Sequence, residues 1–234
     1  MSRVLAVAHR GDPYRHRENT VPSVLSAFAA GADVVEVDVQ LTRDGVPVLL
    51  HDPTLERHWG DPRAVARLTL DQLADLGSPG LRVPTLTEVL KATDGIPAGR
   101  LLIDLDTAGP AAATWEAVTA FGAEDRVAFC GPVTAMLAIR ELAPAAEVAL
   151  TWKQPTLPVS ALLADLRPYA INPPFGLVDE GFTAAAHGAG LTVSTWTVDL
   201  RRTMRRMLRA GVDSLTSNRP ALLRSVIDRA AGHR

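Results

Sequence analysis

Residues 33–45 read DVVEVDVQLTRDG, and two acidic residues, Glu36 and Asp38, lie within the valine-rich run at 34–39. The valines predict a strand, because β-branched side chains fit a pleated and buried surface. Successive side chains of a strand point to opposite faces, so Glu36 and Asp38 share one face, roughly 6.6 Å apart along the strand. Buried charges are costly unless they are paired or bound to a metal. The stretch therefore predicts a cation site at a strand end; an edge strand whose acidic face meets water is the alternative.

The composition narrows the classes of protein to which this chain can belong. Its 234 residues fit one large α/β domain, and the hydrophobic fraction of 47% supports an ordinary packed core. A net charge of -2 argues against nucleic acid as a partner. No apolar run approaches the ~20 residues that span a bilayer, so we expect no stable membrane insertion. Cys130 is the single cysteine, and we see no signal peptide, so we expect a cytoplasmic protein; the oligomeric state stays open.

Short apolar runs alternate with alanine-rich helical segments along most of the chain. The runs predict eight strands, at residues 4–8, 34–39, 46–50, 101–105, 127–130, 148–152, 169–172 and 191–197. Strand–helix alternation implies parallel pairing with right-handed crossovers. Eight such units in this length predict an α/β protein with a (β/α)8 TIM barrel. An open doubly wound sheet is the alternative, although no GxGxxG follows a strand.

Turn and capping signals mark local features of this barrel. We interpret residues 1–234 as a single barrel domain with a small insertion at 53–84, after the third strand and near the active-site face. The tight turn at residues 43–45 leaves open whether the run at 46–50 forms a hairpin with the run before it. Thr20 is a candidate N-cap of a helix that Gly31 closes, and Thr85 with Glu88 is typical of a capping box.

Polar side chains collect at the predicted carboxyl ends of the strands. They are His9, Arg10, Glu36, Asp38, His51, Asp104, Asp106, Lys153, Asn172 and Trp196. Each alone has a structural interpretation, such as a hydrogen-bonded histidine, a surface arginine, a turn before proline or a tryptophan in the core. In a barrel, however, the carboxyl ends of the strands converge on one face, where active sites are built. Together these residues predict one polar site.

A series of short motifs resembles that of the glycerophosphodiester phosphodiesterases, in the same order along the chain. The motifs are His9-Arg10-Gly11, Glu18-Asn19-Thr20, Ala27-Phe28, Gly31-Ala32-Asp33, Glu36-x-Asp38, Thr42-x-Asp44-Gly45, His51-Asp52, Pro84-Thr85-Leu86-x-Glu88-Val89-Leu90, Trp196-Thr197-Val198 and Gly211-Val212-Asp213. The resemblance implies metal-dependent hydrolysis of glycerophosphodiesters to glycerol 3-phosphate and an alcohol. The alternatives are a phospholipase-D-like enzyme of the same superfamily with a different substrate, such as a lysophospholipid, and a degenerate non-catalytic binding barrel.

The resemblance also implies roles for individual residues. Glu36, Asp38 and Asp104 match its metal ligands, and His9 and His51 match its acid–base pair. Carboxylate oxygens suit one divalent cation, Mg²⁺ or Ca²⁺, better than zinc. We assign His9 as the base that takes a proton from the nucleophile and His51 as the acid that protonates the leaving alkoxide.

The substrate-binding residues follow from the same resemblance. Arg10 is expected to clamp the phosphate, because a guanidinium matches phosphate geometry in a bidentate way. Glu18 is expected to orient Arg10 or a histidine, and Trp196 to form an apolar wall against the glycerol. The small-molecule phosphodiester is the expected partner.

One strand departs from the family pattern. Where the family usually shows Glu-x-Lys, this chain has Asp104-Leu105-Asp106. The third metal ligand is therefore shorter by about one C–C bond, and an acid replaces a cation that would face the phosphate. Lys153, at the end of another predicted strand, is the candidate that restores a positive charge.

Overall fold

The computed structural model describes residues 3–232, with the exception of residues 79 and 98. Its strands are β1 (Leu5–His9), β2 (Val34–Leu41), β3 (Pro47–Leu49), β4 (Thr54–Leu55), β5 (Asp61–Ala64), β6 (Arg100–Asp104), β7 (Val127–Gly131), β8 (Val148–Thr151), β9 (Ala170–Asn172), β10 (Thr192–Thr195) and β11 (Ser214–Ser217). Its α-helices are α1 (Val21–Ala29), α2 (Glu56–Trp59), α3 (Leu70–Ala74), α4 (Leu86–Ala92), α5 (Ala111–Phe121), α6 (Val133–Leu142), α7 (Ser160–Leu166), α8 (Glu180–Gly188), α9 (Arg201–Arg209) and α10 (Pro220–Ala231).

Eight parallel strands close into a barrel, which confirms the predicted TIM barrel. Their order is β1, β2, β6, β7, β8, β9, β10 and β11, and β11 pairs with β1 to close the ring. The barrel interior below the polar strand ends is filled mostly by small side chains: Val7, Leu102, Ala128, Cys130, Ala149 and Ala170. A larger apolar cluster lies between the strands and the surrounding helices. The fold thus places the polar residues above a packed floor.

The third and last strands differ from the sequence prediction. The run at 46–50 is not a barrel strand: β3 pairs antiparallel with β2, Gln40 opposite Val48, and lies outside the ring. The turn at 43–45 is too short for the crossover that parallel pairing requires, so the hairpin alternative is the correct one. The missing barrel strand is β11, whose sequence SLTS has only one large apolar residue. β11 pairs in parallel with β1 on one side and with β10 on the other, so ladder pairing with its neighbours holds a strand that its own sequence does not signal.

Residues 53–84 form a small excursion with its own apolar cluster. β4 and β5 pair antiparallel as a separate two-stranded sheet; α2 connects them, and α3 follows β5. The buried side chains of this cluster are Val48, Leu50, Leu55, Val65, Leu68, Leu73 and Val83. The hairpin strand β3 contributes to it, which explains why the chain leaves the barrel at this point. The division into one barrel domain with an insertion stays a prediction.

The predicted helix starts have the expected caps. The Thr20 hydroxyl accepts from the Ser23 N–H at the start of α1. Thr85 and Glu88 form a reciprocal capping box at α4. Among the described residues, no helix is both long and apolar enough to cross a bilayer.

Candidate active site

Parallel register brings the predicted acids to one end of the barrel. His9 pairs with Glu36 between β1 and β2, and Asp38 pairs with Asp104 between β2 and β6. Carboxylate oxygens of Glu36, Asp38 and Asp104 all lie within 4.8 Å of one another. Glu36 is only 4% exposed and Asp38 only 6%. We call these three residues the acidic triad.

The acidic triad carries more negative charge than its surroundings offset. Burial, followed by the charges of Asp38 and Asp104, raises the pKa of Glu36 well above its ordinary value. Burial and the charge of Asp38 raise the pKa of Asp104 to about 7. The thiol of Cys130, the partner of Asp104 in β7, opposes this rise in the pKa of Asp104 only in part. Hard oxygen donors that repel one another in a buried site favour a bound cation.

A strained turn after β1 aims Arg10 at the triad. Arg10 and Gly11 have φ values of 58° and 90°, and a Cβ on Gly11 would lie 2.3 Å from the Ser23 hydroxyl. Only glycine fits so close an approach at positive φ. The turn lets the Arg10 N–H donate to Glu36 at 2.9 Å, while its Nε lies 3.1 Å from Asp38.

Asn19 fixes the orientation of Asp38. Its Nδ2 donates to Asp38 Oδ2 at 2.7 Å, and its Oδ1 accepts from the Asp38 N–H at 3.2 Å. The sequence alone marks Asn19 only as part of the Glu18-Asn19-Thr20 motif. The left-handed backbone of Asn19, with φ at 54°, is a conformation that asparagine tolerates better than most residues.

A chain of ion pairs joins the second histidine to Arg10. His51 Nδ1 lies 2.6 Å from Asp52, and Arg57 of α2 donates to Asp52 at 2.5 Å and to Glu18 at 2.7 Å. Glu18 in turn accepts from Arg10 at 3.0 Å. The Arg57 hydrogen bond, assisted by His51, holds the pKa of Asp52 well below its ordinary range. Sequence reasoning missed Arg57, which lies 39 residues from Glu18.

The first histidine has a different set of partners. Its Nδ1 lies 2.7 Å from Oδ1 of Asn218, and Asn218 Nδ2 donates to Asp199 at 2.7 Å. Burial, and then the neighbouring charge of Arg10, lowers the pKa of His9 below its ordinary value of 6.5. Sequence reasoning missed Asn218 and Asp199, because Asn218 follows the strand that the apolar pattern did not reveal.

These side chains line one pocket of about 670 Å³. Its polar and aromatic lining residues are His9, Arg10, Glu36, Asp38, His51, Asp104, Asp106, Cys130, Thr134, Thr151, Trp152, Lys153, Gln154, Asn172, Trp196 and Thr216. Every predicted site residue is among them except Glu18, which lies behind Arg10 and Arg57. Lys153 and Asp106 are exposed at the pocket, and the Lys153 ammonium lies 5.8 Å from the centre of the Trp196 ring. The Trp196 indole N–H donates to the Asn172 carbonyl at 3.0 Å, which fixes the ring.

The sequence and the fold of this chain have counterparts among known proteins. The model of the Glycerophosphoryl diester phosphodiesterase family matches residues 9–222. A glycerophosphodiester phosphodiesterase of Caldanaerobacter subterraneus subsp. tengcongensis is 26% identical over 242 residues, which cover 96% of this chain and 98% of the relative.

Solved structures give the same fold. A phosphodiesterase of Oleispira antarctica in complex with the product sn-glycerol-3-phosphate has a TM-score of 0.88 and 22% identity, with 97% of each chain covered. A glycerophosphodiester phosphodiesterase of Thermotoga maritima has a TM-score of 0.82 and 21% identity, with 97% of this chain and 99% of that chain covered. At these identities the likeness concerns the barrel and its strand order.

Proposed function

The chain belongs to the glycerophosphoryl diester phosphodiesterase family, and we propose that it hydrolyses small glycerophosphodiesters to glycerol 3-phosphate and an alcohol. The observation that carries the proposal is the convergence of the acidic triad, Arg10 and two histidines on one pocket. Phosphoryl transfer requires groups that offset charge on the phosphate and groups that move protons. The pocket offers both.

We propose that the acidic triad holds one divalent cation, Mg²⁺ or Ca²⁺. The donor set fits such a cation, because oxygens of three carboxylates lie within 4.8 Å of one another. Arg10 offers the triad only one positive charge. When bound, the cation would offset the charge that develops on the phosphate during transfer. Asn19 and the Arg10 backbone N–H would keep Asp38 and Glu36 in place for it.

The two histidines would divide the proton transfers. His9 would take the proton of the nucleophile, because its lowered pKa keeps the ring neutral near pH 7. His51 would protonate the leaving alkoxide, and the carboxylate of Asp52 at 2.6 Å suits a ring that must carry a positive charge. Arg57 would hold Asp52 in this position from the other side.

Arg10 and Lys153 would bind the phosphate. The guanidinium of Arg10 is anchored by Asp38 at 3.1 Å and Glu18 at 3.0 Å, which fixes its plane while further N–H groups stay available for phosphate oxygens. Glu18 would act through Arg10 rather than on the substrate. Trp196 would form the apolar wall against the glycerol.

The acid at position 106 favours one alternative. Asp106 lines the pocket where the family pattern has a lysine, so a different phosphodiester, or a lysophospholipid, is a second candidate substrate. A non-catalytic barrel is disfavoured, because both histidines and the acidic triad line the same pocket. The cytoplasmic location expected from the sequence stays a prediction.

The test is release of glycerol 3-phosphate from diesters of choline, ethanolamine, glycerol and inositol, after EDTA treatment and after addition of Mg²⁺, Ca²⁺ or Mn²⁺. We expect release that EDTA abolishes and a cation restores. Cleavage of lysophospholipids alone would support the alternative substrate. Cleavage of neither class under any metal condition would contradict the enzymatic proposal.

A further inference from the structure

Asn218 bridges His9 and Asp199 at the end of the last barrel strand. Asn218 Oδ1 lies 2.7 Å from His9 Nδ1, and Asn218 Nδ2 lies 2.7 Å from Asp199 Oδ2. The other carboxylate oxygen of Asp199 accepts from the Asn218 N–H at 2.8 Å and from the Ser217 hydroxyl at 2.9 Å. The carboxylate of Asp199 is therefore fixed by three donors.

This arrangement permits only one orientation of the Asn218 amide. An ionised carboxylate accepts hydrogen bonds and does not donate, so the Asn218 NH₂ group must face Asp199. The carbonyl oxygen of Asn218 then faces His9 and accepts. A neutral His9 ring must carry its hydrogen on Nδ1 to make this contact, which leaves the lone pair on Nε2.

We propose that Asn218 and Asp199 are positioning residues that hold His9 in the Nδ1–H tautomer, with Nε2 free to receive a proton in the pocket. This inference rests on the proposed function for its catalytic meaning. The proton of the nucleophile passes to Nε2, and the resulting imidazolium still donates through Nδ1–H to Asn218. The amide carbonyl of Asn218 does not accept a proton from the ring. The proton that Nε2 took from the nucleophile therefore passes from Nε2 to solvent after the leaving group has departed.

The partners of the two histidines differ in a way that supports this division. His9 faces a neutral amide at 2.7 Å, whereas His51 faces the Asp52 carboxylate at 2.6 Å. A neutral acceptor orients a ring without strongly favouring its charged form, and a carboxylate favours the charged form. The site thus gives the base an orienting partner and the acid a charged one.

The direct test is the tautomer of His9 in the full-length protein. Two-bond ¹H–¹⁵N correlation spectra of histidine-labelled, metal-free protein near pH 8 distinguish protonated from unprotonated ring nitrogens, and His9→Gln identifies the His9 signals. We expect a protonated Nδ1 and an unprotonated Nε2. An Nε2–H tautomer in the unaltered protein would overturn the proposal, whatever the activity.

Variants test whether the tautomer depends on this pair. Asp199→Asn removes the constraint on the Asn218 amide, so we expect a mixture of His9 tautomers. We expect kcat to fall roughly 10- to 100-fold, which does not exceed the loss caused by removing a general base outright. KM should change less than about threefold. The double variant Asn218→Asp with Asp199→Asn exchanges acid and amide but keeps an acceptor facing His9. We expect it to regain the Nδ1–H tautomer and most of kcat near pH 8. On acidification its activity should fall earlier than that of the unaltered protein, because the carboxylate that then faces His9 favours the charged ring.

Asp213→Asn is the matched control, since Asp213 lies at the opposite end of β11 and bonds His187 at 2.8 Å. It is expected to leave kcat and the His9 signals unchanged. An Asp199→Asn protein that keeps both the tautomer and kcat would contradict the proposal. If no substrate is cleaved but the tautomer changes as described, the positioning stands and the proposed function fails.

Discussion

Asp38 and Asp104 are direct partners in the parallel ladder between β2 and β6, so two acids lie side by side at the mouth of the barrel. Burial, and then the charge of Asp38, raises the pKa of Asp104 to about 7. An ionised pair in this position lowers stability unless a cation joins it. We therefore expect the acidic triad to bind a cation, and we expect its uncompensated charges to lower the stability of the metal-free protein.

Asp104→Asn should stabilise the metal-free protein. The folded protein binds the Asp104 proton more tightly than the unfolded chain does, because the pKa rises from 3.8 to about 7 on folding. The free energy of unfolding therefore falls as pH rises through this window, and Asp104→Asn removes that loss. In EDTA near pH 8 we expect a higher Tm for the variant, by roughly 2–4 °C for each kcal/mol recovered.

Calorimetry across pH tests this expectation, with Asp125→Asn as a control at an exposed acid. The Tm difference should shrink towards pH 4, and added Mg²⁺ or Ca²⁺ should stabilise the unaltered protein more than the Asp104 variant. A variant that is less stable than the unaltered protein in EDTA near pH 8 would show that Asp104 is not under electrostatic strain.

The pH–rate profile should report His9 on its acidic side. Burial, and then Arg10, lowers the pKa of His9 below 6.5. A general base works only while unprotonated, so kcat/KM should stay high on acidification to pH 6.5 and fall at lower pH. A cation on the acidic triad adds positive charge and shifts the fall in the same direction. A decline of kcat/KM that begins well above pH 6.5 would contradict the assignment of His9 as the base.

His51→Ala should lose activity in proportion to how much the leaving group needs a proton. With an alkyl glycerophosphodiester we expect a loss of about 10²–10⁴-fold, the usual contribution of a general acid. The p-nitrophenolate group of a p-nitrophenyl diester leaves without protonation. With this substrate, His51→Ala should therefore recover much of the lost rate. The comparison variant is His9→Ala, and rescue of that variant instead would mean that the two roles are reversed.

Lys153→Ala should weaken substrate binding more than turnover. Four acids line the pocket. The positive charges of one divalent cation, Arg10 and Lys153 together do little more than offset these four negative charges, so little positive charge remains to attract the phosphate. A unit charge ~6 Å from the phosphate is worth roughly 3 kcal/mol at an effective dielectric near 20, before solvent screening, and Lys153 is exposed. We therefore expect a several-fold rise in KM, with kcat little changed.

Lys91→Ala, at an exposed lysine of α4, is the control for this change and should leave KM unaltered. If Lys153→Ala is silent and activity rises steeply with a second equivalent of metal, the charge of Asp106 is offset by a second cation that bridges it to Asp104. Asp106→Lys would then remove the need for that second equivalent.

The strand period was enough to predict which acids share a face. Glu36 and Asp38 lie two residues apart on one strand, and the alternation of strand side chains places them together without knowledge of the fold. The barrel fold predicts that Asp104 lies near these two acids, because the carboxyl ends of parallel strands converge. These local and periodic signals are the ones that a single sequence carries.

Contacts between distant segments could not be predicted in this way. His9 and Asn218 are 209 residues apart, and the strand that delivers Asn218 has hydroxyl side chains at three of its four positions, so it lacks an apolar run. The apolar run of β3 is that of a buried strand, because Val48 packs in the 53–84 cluster and Leu49 packs in the cluster between the barrel strands and the helices. Apolar runs identify burial but not the partner against which a strand is buried.

The most direct test of the account is glycerol 3-phosphate release by Glu36→Gln at saturating Mg²⁺ or Ca²⁺. Glutamine keeps the shape of the side chain and the acceptor for the Arg10 N–H, so the fold should persist, while the loss of one anionic ligand should lower kcat/KM by roughly 100-fold or more. Glu116→Gln, at an exposed position of α5, should behave as the unaltered enzyme. Full activity of Glu36→Gln, or of the unaltered enzyme after removal of metal by EDTA, would contradict the central claim that this pocket works through a carboxylate-bound cation.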